Sequence, residues 1–214
     1  MKLKKIFFYF VLISILFTNY SYSQITNYNF KDSLVSYLKL KFNSVPDSFI
    51  YIDTKLQKLF YITDTSVIKE YTISTASAGS SFYAEFNSNK TPLGLHTIES
   101  KIGDSLRLGN IIKMKKILDT VGTIYTEADS LPSDIEDAIM TRVIVLQGEE
   151  KGINKGKSNN GKIVDTFYRG IYIHGTNNEA ELGKAVSHGC IRMKNADIVE
   201  LYNLVNINTI ILIL

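Results

Sequence analysis

The residues that could carry nucleophilic chemistry lie near the C-terminal end of the sequence. The 214 residues include one cysteine and three histidines. Two of these histidines, His174 and His188, precede Cys190 by 16 and 2 positions. A cysteine acts as a nucleophile in its thiolate form, and an adjacent imidazole can accept the thiol proton. Cys190 is therefore a candidate nucleophile, with a histidine as its general base.

The spacing favours His174 over His188 as that base. Side chains two residues apart on an extended chain lie parallel and rarely meet, whereas the chain between His174 and Cys190 is long enough to fold back. Gly189 allows a sharp turn of the backbone beside Cys190. The exposed amides of Gly189 and Cys190 are then candidates for an oxyanion hole, in which N–H donors stabilise a tetrahedral intermediate.

Other interpretations of these residues stay open at this point. His174 could be a buried core histidine at a strand end, and Cys190 could be an inert buried thiol. The three groups could bind zinc, although the spacing H-x13-H-x-C is not a familiar zinc layout and a structural site needs a fourth ligand. The remaining histidine, His96, follows the segment TPLGL and is interpreted as structural or as a wall of a cleft.

The first residues predict a secretory signal peptide. Three lysines within residues 1–5 precede an apolar run at 6–17 and the small, polar segment Ser21-Tyr22-Ser23, a layout that indicates cleavage after Ser23. A retained membrane anchor is the alternative. However, the apolar run is twelve residues long, and a span of the bilayer takes about 20.

Removal of this leader changes the net charge, and secretion bears on the state of the single cysteine. The formal charge of +3 falls to zero because the leader holds three lysines and no acid, so no global field favours nucleic acid or a membrane surface. We expect the mature protein to be soluble. In an oxidising compartment, a single cysteine indicates a free, reactive thiol or an intermolecular disulfide.

The elements that would position these residues are mostly strands. Helical spacing at 30–42 is followed by three short runs rich in β-branched and aromatic residues, which predict a β-meander. A polar loop at 77–92 and a long glycine-rich loop at 148–170 interrupt the strands, and the second loop either borders a binding cleft or is a surface excursion. The predicted strands are 49–54, 58–63, 67–75, 93–100, 141–147, 171–174 and 209–214.

Two further helices are predicted in the second half of the chain. One covers 132–140 and begins with a Ser133-x-x-Glu136 capping box, and the other covers 195–205 and is capped by Asn195. The expected fold class is therefore mainly β, a β-rich α+β domain. The expected organisation is a signal peptide at 1–23, a linker and helix at 24–47 and one domain at 48–214.

The segment IYIHGTNNEAELGKAVSHGCIRMKNADIVELYNLV (171–205) resembles the catalytic segment of the L,D-transpeptidase family of YkuD-type domains. The family pattern is a His-Gly pair, a gap of about a dozen residues, and Ser/Thr-His-Gly-Cys followed by an apolar residue and Arg or Asn. It is matched at His174-Gly175 and at 187–192. TPLGLHTI (91–98) resembles the family's Thr-Pro-x-Gly strand. The resemblance covers 48–214 and implies a YkuD-like β-sandwich or meander with a few short helices.

This resemblance implies acyl transfer on peptidoglycan without a cofactor or metal. Cys190 would attack the carbonyl of the third residue of a stem tetrapeptide and release D-alanine, and an amine of a second stem would resolve the thioester into a 3→3 cross-link. His174 would be the general base, oriented by the carbonyl of Gly175. His188 would shape the site, while Ser187 and Arg192 would contact substrate, unless Arg192 forms a structural ion pair.

The same resemblance implies the partners and the location. Peptidoglycan stems are the expected acyl donor and acceptor, carbapenem-type compounds are the expected inhibitors, and the bacterial envelope is the expected compartment. Two other functions remain open: an L,D-carboxypeptidase or wall-linkage hydrolase that uses water as the acceptor, and a wall-binding protein whose site is idle.

Overall fold

The computed structural model describes residues 36–39, 46–127, 132 and 137–214. The predicted signal peptide lies outside the described residues, and of the predicted helix at 30–42 only a helical stretch at 36–39 is described. The chain divides into two compact units, Met1–Asp47 and Ser48–Leu214. The fold described below is that of the second unit.

Strands dominate this unit, and the mainly β class is confirmed. One α-helix, α1 (Asn195–Leu204), and a 3-10 turn (Glu179–Glu181) accompany them. The strands are β1 (Ser48–Asp53), β2 (Lys58–Thr63), β3 (Ser66–Ser74), β4 (Ser80–Ser81), β5 (Thr91–Pro92), β6 (Gly94–Ile102), β7 (Asn110–Lys113), β8 (Lys116–Val121), β9 (Ile139–Gly148), β10 (Tyr172–Thr176), β11 (Ile191–Met193) and β12 (Ile210–Ile213).

Most strands form one sheet that closes on itself. The order is β10-β11-β3-β2-β1-β12-β6-β9-β7-β8, and β10 also pairs with β9. The predicted meander is confirmed, because β1, β2 and β3 are antiparallel neighbours. The strands from β10 around to β9 therefore form a closed ring, which leaves no unpaired edge within it.

The core is built from alternate residues of the ring strands together with one side of α1. Ile173 on β10 and Ile191 on β11 are fully buried in the same cluster as Ile198 and Leu201 of the helix. Burying a side chain of this size stabilises the fold by about 1.5–3 kcal/mol. The apolar face of β10 and β11 is thus fixed toward the core, which also fixes their opposite face.

Two predicted features differ from the structure. Ile139 and Met140 begin β9, so the predicted helix at 132–140 is wrong for these residues, and its capping box at 133–136 lies outside the described residues. The prediction that Asn195 caps α1 is also wrong. Lys194 occupies the cap position, and the Asn195 amide instead donates to the carbonyl oxygen of Thr176 at 2.7 Å.

The hairpin of β7 and β8 and the short strand β11 were not indicated by the sequence pattern. Most of β8 is exposed, so its residues show no alternation of polar and apolar positions, and β11 has three residues, all buried. Among the helices of the described residues, none is both long and apolar enough to cross a membrane.

Candidate active site

Two parallel strands bring His174 and Cys190 to the same face of the sheet. Ile173 lies opposite Ile191 and His174 opposite Arg192 in the pairing of β10 with β11, and Cys190 directly precedes β11. Side chains alternate between the two faces of a strand. Because Ile173 and Ile191 point into the core, His174, Cys190 and Arg192 lie on the other face.

His174 is held in one tautomer. Its side chain is buried, and Nδ1–H donates a hydrogen bond of 2.8 Å to the carbonyl oxygen of Gly175, which leaves Nε2 as an acceptor. Burial lowers the pKa of His174, and the cation of Arg192 adds to this, while Asp137 and the Gly175 carbonyl oppose it. The imidazole is therefore neutral at pH 7 and able to accept a proton.

Gly175 has no room for a side chain. A Cβ at this position would lie 2.5 Å from Oδ1 of Asn195 and 2.8 Å from the carbonyl oxygen of Met140. The register of β10 against β9 also shifts between His174 and Gly175. This close packing explains why a glycine follows the histidine in the motif. The packing also holds in place the carbonyl that orients His174.

The turn that presents Cys190 is fixed by hydrogen bonds. Gly189 adopts a φ of +131°, which favours glycine, and its N–H donates to Oγ of the buried Ser187 at 3.2 Å. The Ser187 hydroxyl donates to the carbonyl oxygen of Cys190 at 2.6 Å. From the TPLGLHTI segment, Oγ1 of Thr91 donates to the carbonyl oxygen of Gly189 at 3.0 Å. Both the hydroxyl of Ser187 and the amide of Gly189 thus have partners inside this turn.

The Cys190 thiol is half-buried, and its Sγ lies 3.4 Å from the carbonyl oxygen of Gly170. Burial raises the pKa of Cys190 to about 11, and Asp137 acts in the same direction. A hydrogen bond from the backbone of Tyr172 lowers the pKa of the thiol, and so do the positive charges of Arg192 and Arg169. These effects are too small to offset burial. The resting cysteine is a neutral thiol at pH 7 and needs a base to become a nucleophile.

Arg192 forms an ion pair with a carboxylate that sequence reasoning did not identify. The residue is buried, and its Nη2 lies 2.7 Å from Oδ2 of Asp137. This agrees with the structural ion pair that the sequence left as an alternative for Arg192. Asp137 fell inside a segment predicted as helix, and no motif pointed to it, although its carboxylate affects the pKa of both His174 and Cys190.

The long loop at 148–170 ends beside the thiol. Gly170 accepts the hydrogen bond of Cys190, and Nη2 of Arg169 donates to the carbonyl oxygen of Lys90 at 2.7 Å. The loop therefore connects to the 77–92 loop beside the turn at Cys190. Arg169 carried no sequence signal that distinguished it from other polar residues of this loop.

The other two histidines lie in different environments. His188 is exposed, between the buried residues Ser187 and Gly189. His96 is buried, and its ring nitrogens lie 3.0 Å from the carbonyl oxygen of Gly94 and 3.1 Å from Oγ1 of Thr166, which agrees with a structural role. Within the described residues, no group of three or more His, Cys, Asp or Glu side chains is arranged to hold a metal ion.

This arrangement can perform nucleophilic chemistry by general base catalysis. A neutral thiol lies on the same face as a neutral imidazole whose Nε2 is an acceptor, and that imidazole is oriented by a backbone carbonyl. Such a base removes the thiol proton as the sulfur attacks, so no stable ion pair is required in the resting state.

The comparison with known families agrees with this chemistry. The model of the YkuD family, L,D-transpeptidase catalytic domain, matches residues 47–213. The chain belongs to this family.

Individual relatives match over shorter stretches. The chain is 67% identical over 33 residues, which are 15% of this chain and 20% of the relative, to the protein YkuD of Bacillus subtilis strain 168. It is 51% identical over 41 residues (19% of this chain and 23% of the relative) to YqjB of the same strain. An L,D-transpeptidase activity is ascribed to both relatives. The chain thus spans about a fifth of the length of the curated relatives it matches.

Among solved structures, an L,D-transpeptidase from Mycobacterium smegmatis is similar with a TM-score of 0.43 and 15% identity, over 79% of this chain and 59% of that one. Bd1075 of Bdellovibrio bacteriovorus is similar with a TM-score of 0.46 and 15% identity, over 78% of this chain and 48% of that one.

Proposed function

We propose that this protein is a peptidoglycan L,D-transpeptidase that uses Cys190 as its nucleophile. Family membership supports the reaction class. The observation that carries the residue assignment is the neutral His174, whose Nδ1 is occupied by the Gly175 carbonyl and whose strand lies beside that of Cys190. In this role Gly175 replaces the carboxylate that orients the histidine of a Ser-His-Asp triad.

The proposed reaction has two acyl-transfer steps. Nε2 of His174 removes the Cys190 proton as Sγ attacks the carbonyl carbon of the third stem residue. The bond to D-alanine then breaks, His174 protonates the leaving amine, and a thioester remains. An amine of a second stem attacks this thioester, its proton passes to His174 and then to Sγ, and a 3→3 cross-link forms. One amide is exchanged for another, so no ATP is needed.

The charge that develops on the attacked carbonyl requires donors. The amides of Gly189 and Cys190 remain the proposed oxyanion hole. At rest the Gly189 amide bonds to the Ser187 hydroxyl, so this donor must exchange partners when the tetrahedral intermediate forms. Removal of one such donor typically costs about 3–4 kcal/mol of transition-state stabilisation.

The remaining motif residues support the nucleophile from different sides. Ser187 fixes the turn through its bond to the Cys190 carbonyl, and we propose that any contact with substrate is secondary to this. Arg192 forms an ion pair with Asp137 and so neutralises its charge near the two central groups. The exposed His188 forms a wall of the site and contacts substrate.

The proposed location is the bacterial envelope, because the sequence begins with the layout of a signal peptide and peptidoglycan is found outside the cell membrane. A thiol that forms an acyl-enzyme is also open to attack on a strained lactam. We therefore propose carbapenem-type compounds as covalent inhibitors of Cys190.

Product analysis tests the proposed function. The purified protein is incubated with disaccharide-tetrapeptide, and the products are separated and identified by mass. We expect 3→3 dimers and free D-alanine. Formation of tripeptide without dimer would indicate hydrolysis instead of transfer, and no conversion would contradict the proposal. His174→Ala should lose far more rate than His188→Ala, and the reverse order would exchange the roles of the two histidines.

A further inference from the structure

Arg169 is fixed beside the nucleophile by its contact with a neighbouring loop. Its Nη2 donates to the carbonyl oxygen of Lys90 at 2.7 Å, and the next residue, Gly170, accepts the hydrogen bond of the Cys190 thiol at 3.4 Å. The same carbonyl of Lys90 approaches Gly189, where a Cβ would lie 3.5 Å from it. The guanidinium thus lies at the turn that presents Cys190.

This guanidinium has unused hydrogen-bonding capacity. Nη1 of Arg169 is buried and has no hydrogen-bond partner among the residues that the structure describes. The ion pairs of the same residues include no carboxylate bound to Arg169. Burial lowers the pKa of Arg169, and the negative charge of a Cys190 thiolate raises it. A buried N–H group without a hydrogen-bond partner is uncommon, so we expect an acceptor on a ligand to complete this site.

A carboxylate fits this site best. The planar guanidinium binds carboxylates through two parallel N–H donors. In the proposed reaction the acyl donor carries a carboxylate on the leaving D-alanine, one residue beyond the attacked carbonyl, and further carboxylates on its internal residues. We propose that Arg169 binds a carboxylate of the acyl-donor stem and so determines which stems are used. This inference rests on the proposed function.

The test compares donors that differ in one carboxylate. The parent protein and the variants Arg169→Gln and Arg169→Lys are assayed with the tetrapeptide donor, a donor amidated at its C-terminus and a donor amidated at its internal carboxylates. Arg107→Gln serves as the control, because Arg107 is exposed and lies outside the described site. The readout is kcat/KM for release of the fourth residue.

We expect the parent protein to prefer the carboxylate donor over one of the two amidated donors by about 10- to 100-fold, the worth of a charge-assisted hydrogen bond. Arg169→Gln should reduce this preference to near unity, because kcat/KM should fall more on the carboxylate donor than on the amidated donor. Arg169→Lys should retain part of the preference, and Arg107→Gln all of it. If Arg169→Gln loses the preference over the donor with the C-terminal amide, Arg169 binds the carboxylate of the leaving residue. If it loses the preference over the other amidated donor, Arg169 binds an internal carboxylate.

Two results would overturn the inference. In the first, Arg169→Gln keeps the full preference for both carboxylates. In the second, it loses rate equally on all donors, which would make Arg169 a structural bridge to Lys90. If the parent protein released the fourth residue from none of the donors, the proposed function would fail and this inference with it.

Discussion

At the scale of single residues, burial and two opposing charges set the direction in which the pKa values of the two central groups are shifted. Asp137 raises the pKa of both His174 and Cys190, and Arg192, its ion-pair partner, lowers both. The thiol is therefore neutral at rest because burial and Asp137 together exceed the effect of the cations.

Removal of the Asp137 charge should make the thiol more reactive. In Asp137→Asn the carboxylate no longer raises the pKa of Cys190 while Arg192 still lowers it, so we expect alkylation by iodoacetamide at pH 7 to accelerate several-fold. Each unit of pKa changes the thiolate fraction about tenfold in this range. The measurement is the alkylation rate as a function of pH.

Two variants control this prediction. Arg192→Gln should slow alkylation, and Asp119→Asn, at an exposed position of β8, should leave the rate unchanged. Equal rates for Asp137→Asn and the parent protein, with unaltered circular dichroism, would show that this carboxylate does not influence the thiol.

The residues proposed to do the chemistry could be named from the sequence, and the charged residues beside them could not. Cys190, His174 and Gly175 stand in a motif with fixed spacing, so local order indicates their roles. Asp137 and Arg169 reach the site from separate segments through tertiary packing, and neither has a neighbour in sequence that indicates a function. Long-range ion pairs and loop contacts of this kind leave no periodic pattern.

At the scale of elements, the site depends on the pairing of β10 with β11. Strand β10 was predicted because the three residues Ile171, Tyr172 and Ile173 form a short apolar run that leads into His174. Strand β11 was not, since its three residues are too few to show alternation. The spacing of the motif is nevertheless consistent with β11. The residues between His174 and Cys190 form the crossover that a parallel pair of strands requires.

Gly175→Ala should displace β10 from its contacts with β9 and α1. The added Cβ would lie 2.5 Å from Oδ1 of Asn195 and 2.8 Å from the Met140 carbonyl oxygen, so β10 or α1 must move. We expect the free energy of unfolding to fall by about 1–3 kcal/mol, and we expect most activity to be lost because the carbonyl that orients His174 shifts. Urea denaturation and rate assays measure the two effects.

Gly161→Ala is the matched control for this variant. Gly161 has open space around its Cα but a φ of +80°, so it reports the cost of backbone strain without a clash. We expect a loss of about 1–2 kcal/mol with activity retained. Normal activity in Gly175→Ala would show that the close packing at this residue does not position the histidine.

At the scale of the whole molecule, the ring closes through contacts between distant parts of the chain. The C-terminal strand β12 lies between β1 and β6, parallel to the first and antiparallel to the second. The sequence indicated nearly all of these strands but not their order, because strand neighbours are chosen by packing of the whole core. Strand β8 was missed for the opposite reason, since most of its residues are exposed and show no buried face.

His96 links the stability of this ring to pH. Burial lowers the pKa of His96 to about 4 from an ordinary value of 6.5. Above pH 6.5 the imidazole is neutral in both the folded and unfolded states. As pH falls toward 4, the unfolded state binds a proton that the folded state excludes, so stability present above pH 6.5 is lost. At about 1.4 kcal/mol for each pKa unit, this amounts to about 3 kcal/mol.

The variant His96→Gln should therefore show a smaller decrease in the free energy of unfolding between pH 7 and pH 4 than the parent protein. His174, whose pKa is also lowered, contributes in the same direction in both proteins, so the difference isolates His96. His188→Gln, at an exposed position, should retain the parental slope. An unchanged slope in His96→Gln would mean that His96 does not bind this proton on unfolding.

The central claim is that Cys190 forms a thioester with the third residue of the peptidoglycan stem. Intact-mass spectrometry of the protein after brief incubation with disaccharide-tetrapeptide tests it most directly. We expect the parent protein to gain the mass of the donor minus D-alanine, with the adduct located on the peptide that contains Cys190, and Cys190→Ala to gain none. An adduct of equal yield on Cys190→Ala, or 3→3 dimers formed by that variant, would contradict the account.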